Sequence, residues 1–333
     1  MITNNWKCLN KNEYSGFLSD TNNIKIACIL AYYKGQKYIK EQIKSIVDQD
    51  LTNVSLTIFI SDDCSNENFS NWQSSFFKEI KKFEIFYRKC DKNFGYALNF
   101  LNTLQDINKE FDYYCFSDQD DIWFPNKLEN AIKKLNIYSN KKPNLYCGRT
   151  TFYDENCKKI IGKSLIFKKK PSFKNALIQN IGGGNTMVFN KTAKNIILES
   201  IYENFKIISH DWWCYQIISG VGGNIFYDKE SFLKYRQHKK NILGANNTFN
   251  DRIYRIFHLF MGKVKLWNDV NLYALEINKS LLIKENKDTL EKFKELRKKS
   301  LLKRVILFKS SGIYRQTIFG NIAYFFSVLF KRI

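Results

Sequence analysis

Three aspartates fill three of four consecutive positions in FSDQDDIW, where Asp118, Asp120 and Asp121 follow directly on the aromatic run FDYYCF. Carboxylates crowded on one short segment repel one another unless a cation compensates them. Hard divalent cations such as Mg2+ and Mn2+ take oxygen ligands, commonly one or two carboxylates together with substrate phosphate oxygens. Alternate side chains of an extended segment share a side, so Asp118 and Asp120 can address one site. The other reading of the same residues is a solvated acidic turn in which Asp121 caps a helix. A second acidic pair, Asp62-Asp63 in SDDCSNENF, offers a carboxylate to a base N–H or a ribose hydroxyl of a nucleotide, or else simple Asx-turn chemistry.

These residues need a scaffold that brings them together, and the surrounding pattern supplies one. IKIACIL and VSLTIFI are short apolar runs of the kind buried on both faces of a parallel sheet. Between them IKEQIKSIVDQ repeats apolar residues at Ile39, Ile43, Ile46 and Val47, an amphipathic helix. FEIFYRKC, DYYCFS and NLYCGRTTFYD read as further strands, with helices over GYALNFLNTLQDI and KLENAIKKLNIY. Strand–helix–strand order predicts an α/β fold with a mixed, mainly parallel sheet flanked by helices. Both acidic clusters then stand at carboxyl ends of strands, where open α/β sheets bind ligands. Further on, IQNIGGGNTMVFNKTAKNII sets three glycines before a strand-like TMVF, and SHDWWCYQIISG opens a helix with Ser209 as N-cap. Past about Gly244 the strand signals stop and helical pattern takes over.

The chain of 333 residues is 44% hydrophobic and 16% aromatic, which predicts a globular protein with a sizeable core. Its eight cysteines include no C-x-x-C pair, so buried free thiols are expected in place of a disulfide framework or zinc knuckle. The first residues lack a charged start followed by an apolar stretch, and no apolar run approaches the roughly 18–20 residues that span a bilayer. A net charge of +21 calls for an anionic partner. Residues 246–333 hold 18 Lys and Arg against 7 Asp and Glu, and no acidic residue follows Arg297.

The segments ILAYYKGQKYIKEQIKSIVDQ, IFISDDCSNENF, KNFGYALNFLN and FSDQDDIWFPNKL resemble, in order and spacing, the family-2 glycosyltransferases. NIGGGNTMVFN, SHDWW and YRQHKKNILG are similar to a bacterial, rhamnosyltransferase-like subgroup. The resemblance covers about residues 24–245 and implies a GT-A fold, a nucleotide-sugar donor (UDP- or dTDP-sugar) and inversion at the anomeric carbon. It implies that Ala31 and Tyr33 meet the base, with Tyr33 as the stacking ring, and that Asp63, or else Asp62, recognises the base. Asp118 and Asp120 match the D-x-D pair for the donor and a divalent cation (Mn2+ or Mg2+), with His238 a third metal ligand or diphosphate contact and Arg236 assisting. Asp211 matches the general base. Trp212 and Trp213 would form an apolar wall ordering a sugar face, and Gly182, Gly183 and Gly184 would let backbone approach donor or acceptor sugar. The first loop departs from the family pattern, carrying Tyr32 and Lys34 where Thr and Asn are usual.

The organisation expected is an N-terminal extension over 1–23, a transferase domain over 24–245 and a basic helical region over 246–333. Lys and Arg alternating with Phe, Leu and Ile over 297–333 suit an interfacial helix on an anionic membrane surface, or a basic helical face packed on the catalytic domain. The expected acceptor is a glycan or glycolipid of a growing cell-surface polysaccharide such as lipopolysaccharide or capsule. The expected location is the cytoplasmic, inner face of the membrane. A nucleic-acid binder would also account for +21, but strand-end carboxylates repel phosphates and no such motif occurs. A non-catalytic sugar-binding module is the other alternative, and a pyrophosphorylase would carry a Gly-rich phosphate loop where AYYKGQKY has one glycine.

Overall fold

A computed structural model describes residues 6–10, 23–66, 76–77, 79–80, 83–238 and 263–333. The ENF end of the second acidic loop, most of the N-terminal extension, the segment KKNILG after His238 and the expected boundary at 245/246 lie outside the described residues.

In chain order, β1 is Lys7–Cys8, β2 Ile24–Tyr32, α1 Ile39–Val47, β3 Val54–Asp62, β4 Glu84–Lys89, α2 Tyr96–Asp106 and β5 Tyr113–Ser117. There follow β6 Ile122–Trp123, α3 Lys127–Leu135, β7 Asn144–Gly148, β8 Thr151–Tyr153, β9 Ile160–Lys163, α4 Phe173–Ala176, β10 Val188–Asn190 and α5 Lys191–Glu199. The last elements are α6 His210–Gly220, β11 Asn224–Asp228, β12 Leu233–Arg236, α7 Lys263–Ile277, α8 Lys284–Lys298, α9 Leu301–Ser311 and α10 Ile318–Leu329.

The main sheet has the order β1-β4-β3-β2-β5-β10-β7-β11. Strands β4, β3, β2 and β5 run parallel, β10 is antiparallel to both neighbours, and β11 runs parallel to β7. The mixed, mainly parallel sheet expected from the sequence is therefore present. Strand β2 sits at its centre, with Ile26, Ala27, Cys28, Ile29 and Leu30 all buried. Their alternation feeds two cores: Ala27 and Ile29 face one, and Ile26, Cys28 and Leu30 the other. Pairing of Tyr32 with Asp62 and of Leu30 with Ser117 brings the carboxyl ends of β2, β3 and β5 to one edge.

NLYCGRTTFYD is not one strand. It breaks after Gly148, β7 staying in the main sheet while β8 joins a second sheet of order β6-β12-β8-β9. Arg149 N donates to Asp228 O (3.0 Å), which carries the chain across. The small sheet links the DQDDIW segment, through β6, to the strand that leads into His238. All eight cysteines carry free thiols.

The C-terminal helices share the first core. Leu275, Leu290, Phe293, Leu296, Ile313, Tyr324 and Val328 belong to the same cluster as Phe100, Phe116 and Trp213. Polar ties reinforce the packing. Asn286 Nδ2 donates to Ser219 O (3.0 Å) and Gly220 O (2.9 Å), carbonyls at the end of α6 that also accept from Gly222 N and Ile283 N. Gln316 Nε2 donates to Lys169 O (3.1 Å), and its backbone N donates to Gln179 Oε1 (2.9 Å). Residues 297–333 are thus no loose appendage, since one side of them is built into the first core. Asn286→Ala removes one of the donors to each carbonyl, the backbone donors Gly222 N and Ile283 N remaining, and should lower stability by about 0.5–1.5 kcal/mol per lost bond in urea unfolding. An unchanged midpoint would mean that α8 docks without coupling to α6.

Candidate active site

The crevice is built from four segments that converge at the carboxyl edge of β2, β3 and β5. The first is the loop after β2. Tyr33 N donates to Gln119 Oε1 (2.8 Å), and Gln119 Nε2 donates back to Tyr33 O (3.1 Å). This two-way bond locks the first loop to the D-Q-D segment. It leaves the Tyr33 ring 42% exposed, with Lys34 Nζ 5.0 Å from its centroid, while Ala31 packs partly buried beneath. Gln119, a spacer in the motif by its position, is the residue that fixes the two loops together.

At the end of β3 the two aspartates have different jobs. Asp62 is fully buried and accepts from Ser65 N (2.8 Å), Ser65 Oγ (2.9 Å) and the Tyr87 hydroxyl (2.9 Å). It braces its own loop, which corrects its standing as the alternative base-recognising carboxylate. Asp63 accepts from Phe94 N (2.7 Å) and Gly95 N (2.9 Å), ahead of α2. Gly95 holds φ at +79°, a left-handed conformation suited to glycine. Two lone-pair positions of Asp63 remain for another donor. Burial raises both carboxyls above the usual range.

The third segment carries the acidic cluster. Asp118 is pushed up to about 8, first by burial and then by the charges of Asp120 and Asp211. Asp120 Oδ2 lies 2.8 Å from His238 Nε2, and that imidazole stacks on Tyr38 with centroids 4.9 Å apart. Asp121, whose role the motif left open, is fully buried and accepts from Asn185 Nδ2 (2.5 Å) and Arg236 N (3.3 Å). It is the internal tie between the acidic loop, the glycine loop and β12. Arg236 completes the clasp: Nε donates to Asp120 O (2.8 Å), the guanidinium pairs with Glu41 and reaches Glu155 O, and its plane lies over Tyr38 at 4.6 Å. Beneath the cluster the buried Lys127 ammonium lies 3.3 Å from the Trp123 ring centroid, and burial pushes it down to about 8 against the pull of Asp121 and Asp118.

The fourth segment joins the glycine loop to α6. Asp211, in the first turn of α6, accepts from Gly184 N (3.2 Å) and Trp212 N (2.7 Å). Its charge reaches Asp118 and also Tyr96, whose phenol burial and these two carboxylates push up to about 12. Asp211 and the D-x-D pair, 91 and 93 residues apart in sequence, face one crevice, since Gly184 and Asn185 bond to Asp211 and Asp121 respectively.

The reading of the two tryptophans is corrected here. Trp213 is sealed in the core, its indole N–H donating to Ser200 Oγ (2.9 Å) and its ring edge-on to Phe205. Trp212 donates to Ala176 O (2.7 Å) and packs edge-on to Trp267. Neither ring offers a face to a sugar; both anchor the helix that carries Asp211. The glycines are also used internally. A Cβ on Gly184 would lie 2.1 Å from His210 Nε2, one on Gly182 would lie 2.5 Å from Cys147 Cβ, and one on Gly183 would meet Asn185 Oδ1 at 2.8 Å. His210 is buried among Phe100 (4.1 Å, stacked), Phe116 and Tyr96. Neither ring nitrogen has a hydrogen-bond partner among the described residues. Burial pushes it down to about 4, so it is neutral at pH 7.

Asp120 and His238 pair, and the charge of Asp120 is felt at Asp118. Among the described residues no group of three or more His, Cys, Asp or Glu side chains is placed to hold a metal ion, so a cation at these carboxylates would have an incomplete protein shell. Phosphate oxygens of a substrate would be needed to complete the shell.

The model for Glycosyl transferase family 2 matches residues 27–236. The dTDP-rhamnosyl transferase RfbG of Shigella flexneri is 31% identical over 233 residues, 68% of this chain and 78% of that protein. Among solved structures, S. aureus TarS 1-349 in complex with UDP superposes with a TM-score of 0.52 at 15% identity, over 80% of this chain and 69% of that one. The same protein in complex with UDP-GlcNAc gives 0.51 at 12% identity, over 86% and 90%. At such identities these two report on the fold, a GT-A-like sheet with flanking helices.

Gly184→Ala forces a methyl into a ring that has no room to retreat. It should cost about 1–3 kcal/mol of stability and slow turnover through Asp211, and Gly184→Ala with His210→Ala should recover part of both. Additive losses in that double-variant cycle would show that the two positions do not meet. The neutral imidazole also sets a pH dependence. Unfolded His210 takes a proton near pH 6.5 and the folded ring only near 4, so in that window the unfolded chain binds more protons and stability falls as pH drops. Between about pH 7.5 and about pH 4.5 the wild type should lose up to about 3 kcal/mol more than His210→Phe in urea unfolding. Equal losses would remove His210 from this linkage.

Proposed function

The chain belongs to glycosyl transferase family 2, and from that premise we propose that it is an inverting, divalent-cation-dependent glycosyltransferase acting on a lipid-linked, growing cell-surface polysaccharide such as lipopolysaccharide or capsule. The observation that carries the reading is the convergence of Asp211, tethered by Gly184 N, with Asp118 and Asp120 at the sheet edge. A dTDP-sugar is the favoured donor, since the relative that is 31% identical is named a dTDP-rhamnosyl transferase; a UDP-sugar is the other candidate. Residues 24–245 would form the transferase unit and 246–333 its helical extension, working from the cytoplasmic side against an anionic inner membrane face.

In this mechanism the exposed Tyr33 ring stacks on the base, and the open lone pairs of Asp63 accept a base N–H. Asp118, Asp120 and His238 would hold the cation, which when bound offsets the charge of the leaving diphosphate. Asp211 acts on the opposite side of the sugar. As the acceptor hydroxyl oxygen attacks the anomeric carbon, Asp211 takes its proton, and the bond from that carbon to the diphosphate oxygen breaks with its electron pair leaving on the nucleotide. The N–H groups of Gly184 and Trp212 orient the carboxylate for this. Trp212 and Trp213 are positioning residues, holding the helix from behind.

A panel of nucleotide sugars tested for Mn2+-dependent transfer or hydrolysis identifies the donor. With that donor, Asp211→Asn should lower turnover by roughly 10²–10⁴-fold while nucleotide binding persists, and Asp120→Asn should abolish the response to added cation. A fully active Asp211→Asn would remove the base assignment, and cation-independent turnover would remove the metal.

A further inference from the structure

Helix α10 inverts the usual surface pattern. Its outward row is Ile318, Ile322 and Phe326, one residue per turn, with Phe319 beside it 82% exposed. Its inward side holds Tyr324, Ser327 and Val328. A surface helix ordinarily sets polar residues outward, and an apolar row left open in this way marks an interaction surface. On the neighbouring α9 the outward side holds Leu302 and Ile306 with Lys303 and Lys309, while Arg304 turns in to donate to Val328 O (2.5 Å) and Leu329 O (2.8 Å). The two helices are fastened to each other by Phe308, whose ring packs tilted against Tyr324 (5.3 Å) and Phe325 (5.1 Å).

The charged side chains that follow Glu295 in the sequence are all basic. Lys298, Lys299, Lys303, Lys309, Lys331 and Arg332 are exposed, and the last acidic residue of the chain is Glu295. We propose that the outward side of α10, with Leu302 and Ile306 of α9, docks into the interfacial region of an anionic lipid bilayer. A second copy of the chain fits less well, because a self-complementary contact would bring these unopposed cations together, whereas anionic headgroups neutralise them. The twelve residues of α10 extend roughly 18 Å, short of the roughly 30 Å hydrocarbon layer. Among the described residues no helix is long and apolar enough to cross a membrane. The helix therefore lies in the interface plane. The surface rests on the reading of a lipid-linked acceptor for its purpose, which it deepens by naming the face that meets the membrane.

The test uses the full chain and vesicles of phosphatidylcholine with or without phosphatidylglycerol. The wild type should co-float with the anionic vesicles, less with neutral ones, and less again at high salt. Ile318→Ser with Phe319→Ser, both at exposed positions, should weaken vesicle affinity roughly tenfold or more at an unchanged melting temperature. Equal flotation of the variant, or no flotation of the wild type at low salt, overturns the proposal. So does a dimer in light scattering that the double variant dissolves without any vesicle binding, which would assign the row to a second copy. Donor hydrolysis without vesicles is read alongside. Its loss in the wild type would count against the glycosyltransferase mechanism, and its retention in the variant separates docking from catalysis.

Discussion

Repulsion between carboxylates confined to one strand end is the constraint on which the rest of this structure depends. Asp118, Asp120 and Asp121 follow β5 within four positions, and Asp211 is brought to the same crevice. In a partly desolvated setting such charges act strongly on each other, and each is handled by a different device. Asp121 is tied off by Asn185 and by the backbone of Arg236. Asp120 meets His238, while the Arg236 side chain holds its carbonyl. Lys127 lies below as a buried counter-charge. Asp118 is left raised to about 8, the member with the least compensation. The second sheet exists to supply two of these devices, since β12 delivers Arg236 and leads directly to His238.

The main elements were legible because their periodicity is strong. The parallel strands β2, β3 and β5, with helices α1 and α2, sit where apolar runs and amphipathic repeats predict them. What periodicity does not carry is a change of sheet within one apolar run, and NLYCGRTTFYD divides at Gly148 because β8 finds its partners in β9 and β12. The acidic clusters were legible as placements at strand ends. Their internal division of labour was not, because it depends on partners far away in sequence: Tyr87 and Ser65 for Asp62, Asn185 for Asp121. Gln119, Lys127 and His210 carry no signal by type. A glutamine between aspartates reads as a spacer, a lysine in a helix's first turn reads as exposed, and a histidine before Asp211 reads as a helix start.

The tryptophans of HDWW teach the same point in reverse. Next to a candidate base an indole suggests a sugar platform, yet adjacent residues on a helix point in directions about 100° apart. With Asp211 turned to the crevice and Gly184, Trp212 and Trp213 turn inward and find acceptors in Ala176 O and Ser200 Oγ. Their size serves rigidity, since buried aromatic area is the largest single contribution a side chain can make to holding an element in place.

Helix α6 then becomes the joint of the molecule. Its first turn holds Asp211 and is pinned by the two indoles, and its last carbonyls accept from Asn286 of α8. Helices α8, α9 and α10 continue that core through Phe293, Leu296, Tyr324 and Val328. Asp211 and the outward apolar row of α10 are consequently joined by packed side chains and helices. Interiors of this kind transmit displacement because they are close-packed and deform little. If α10 rests on a bilayer, the crevice is held at a set height and tilt above it, and an acceptor hydroxyl on a lipid-borne glycan meets Asp211 without the enzyme having to search for the orientation. A basic, apolar-faced extension welded to the transferase core is what that arrangement requires; an independent anchor on a flexible tether would give up the orientation.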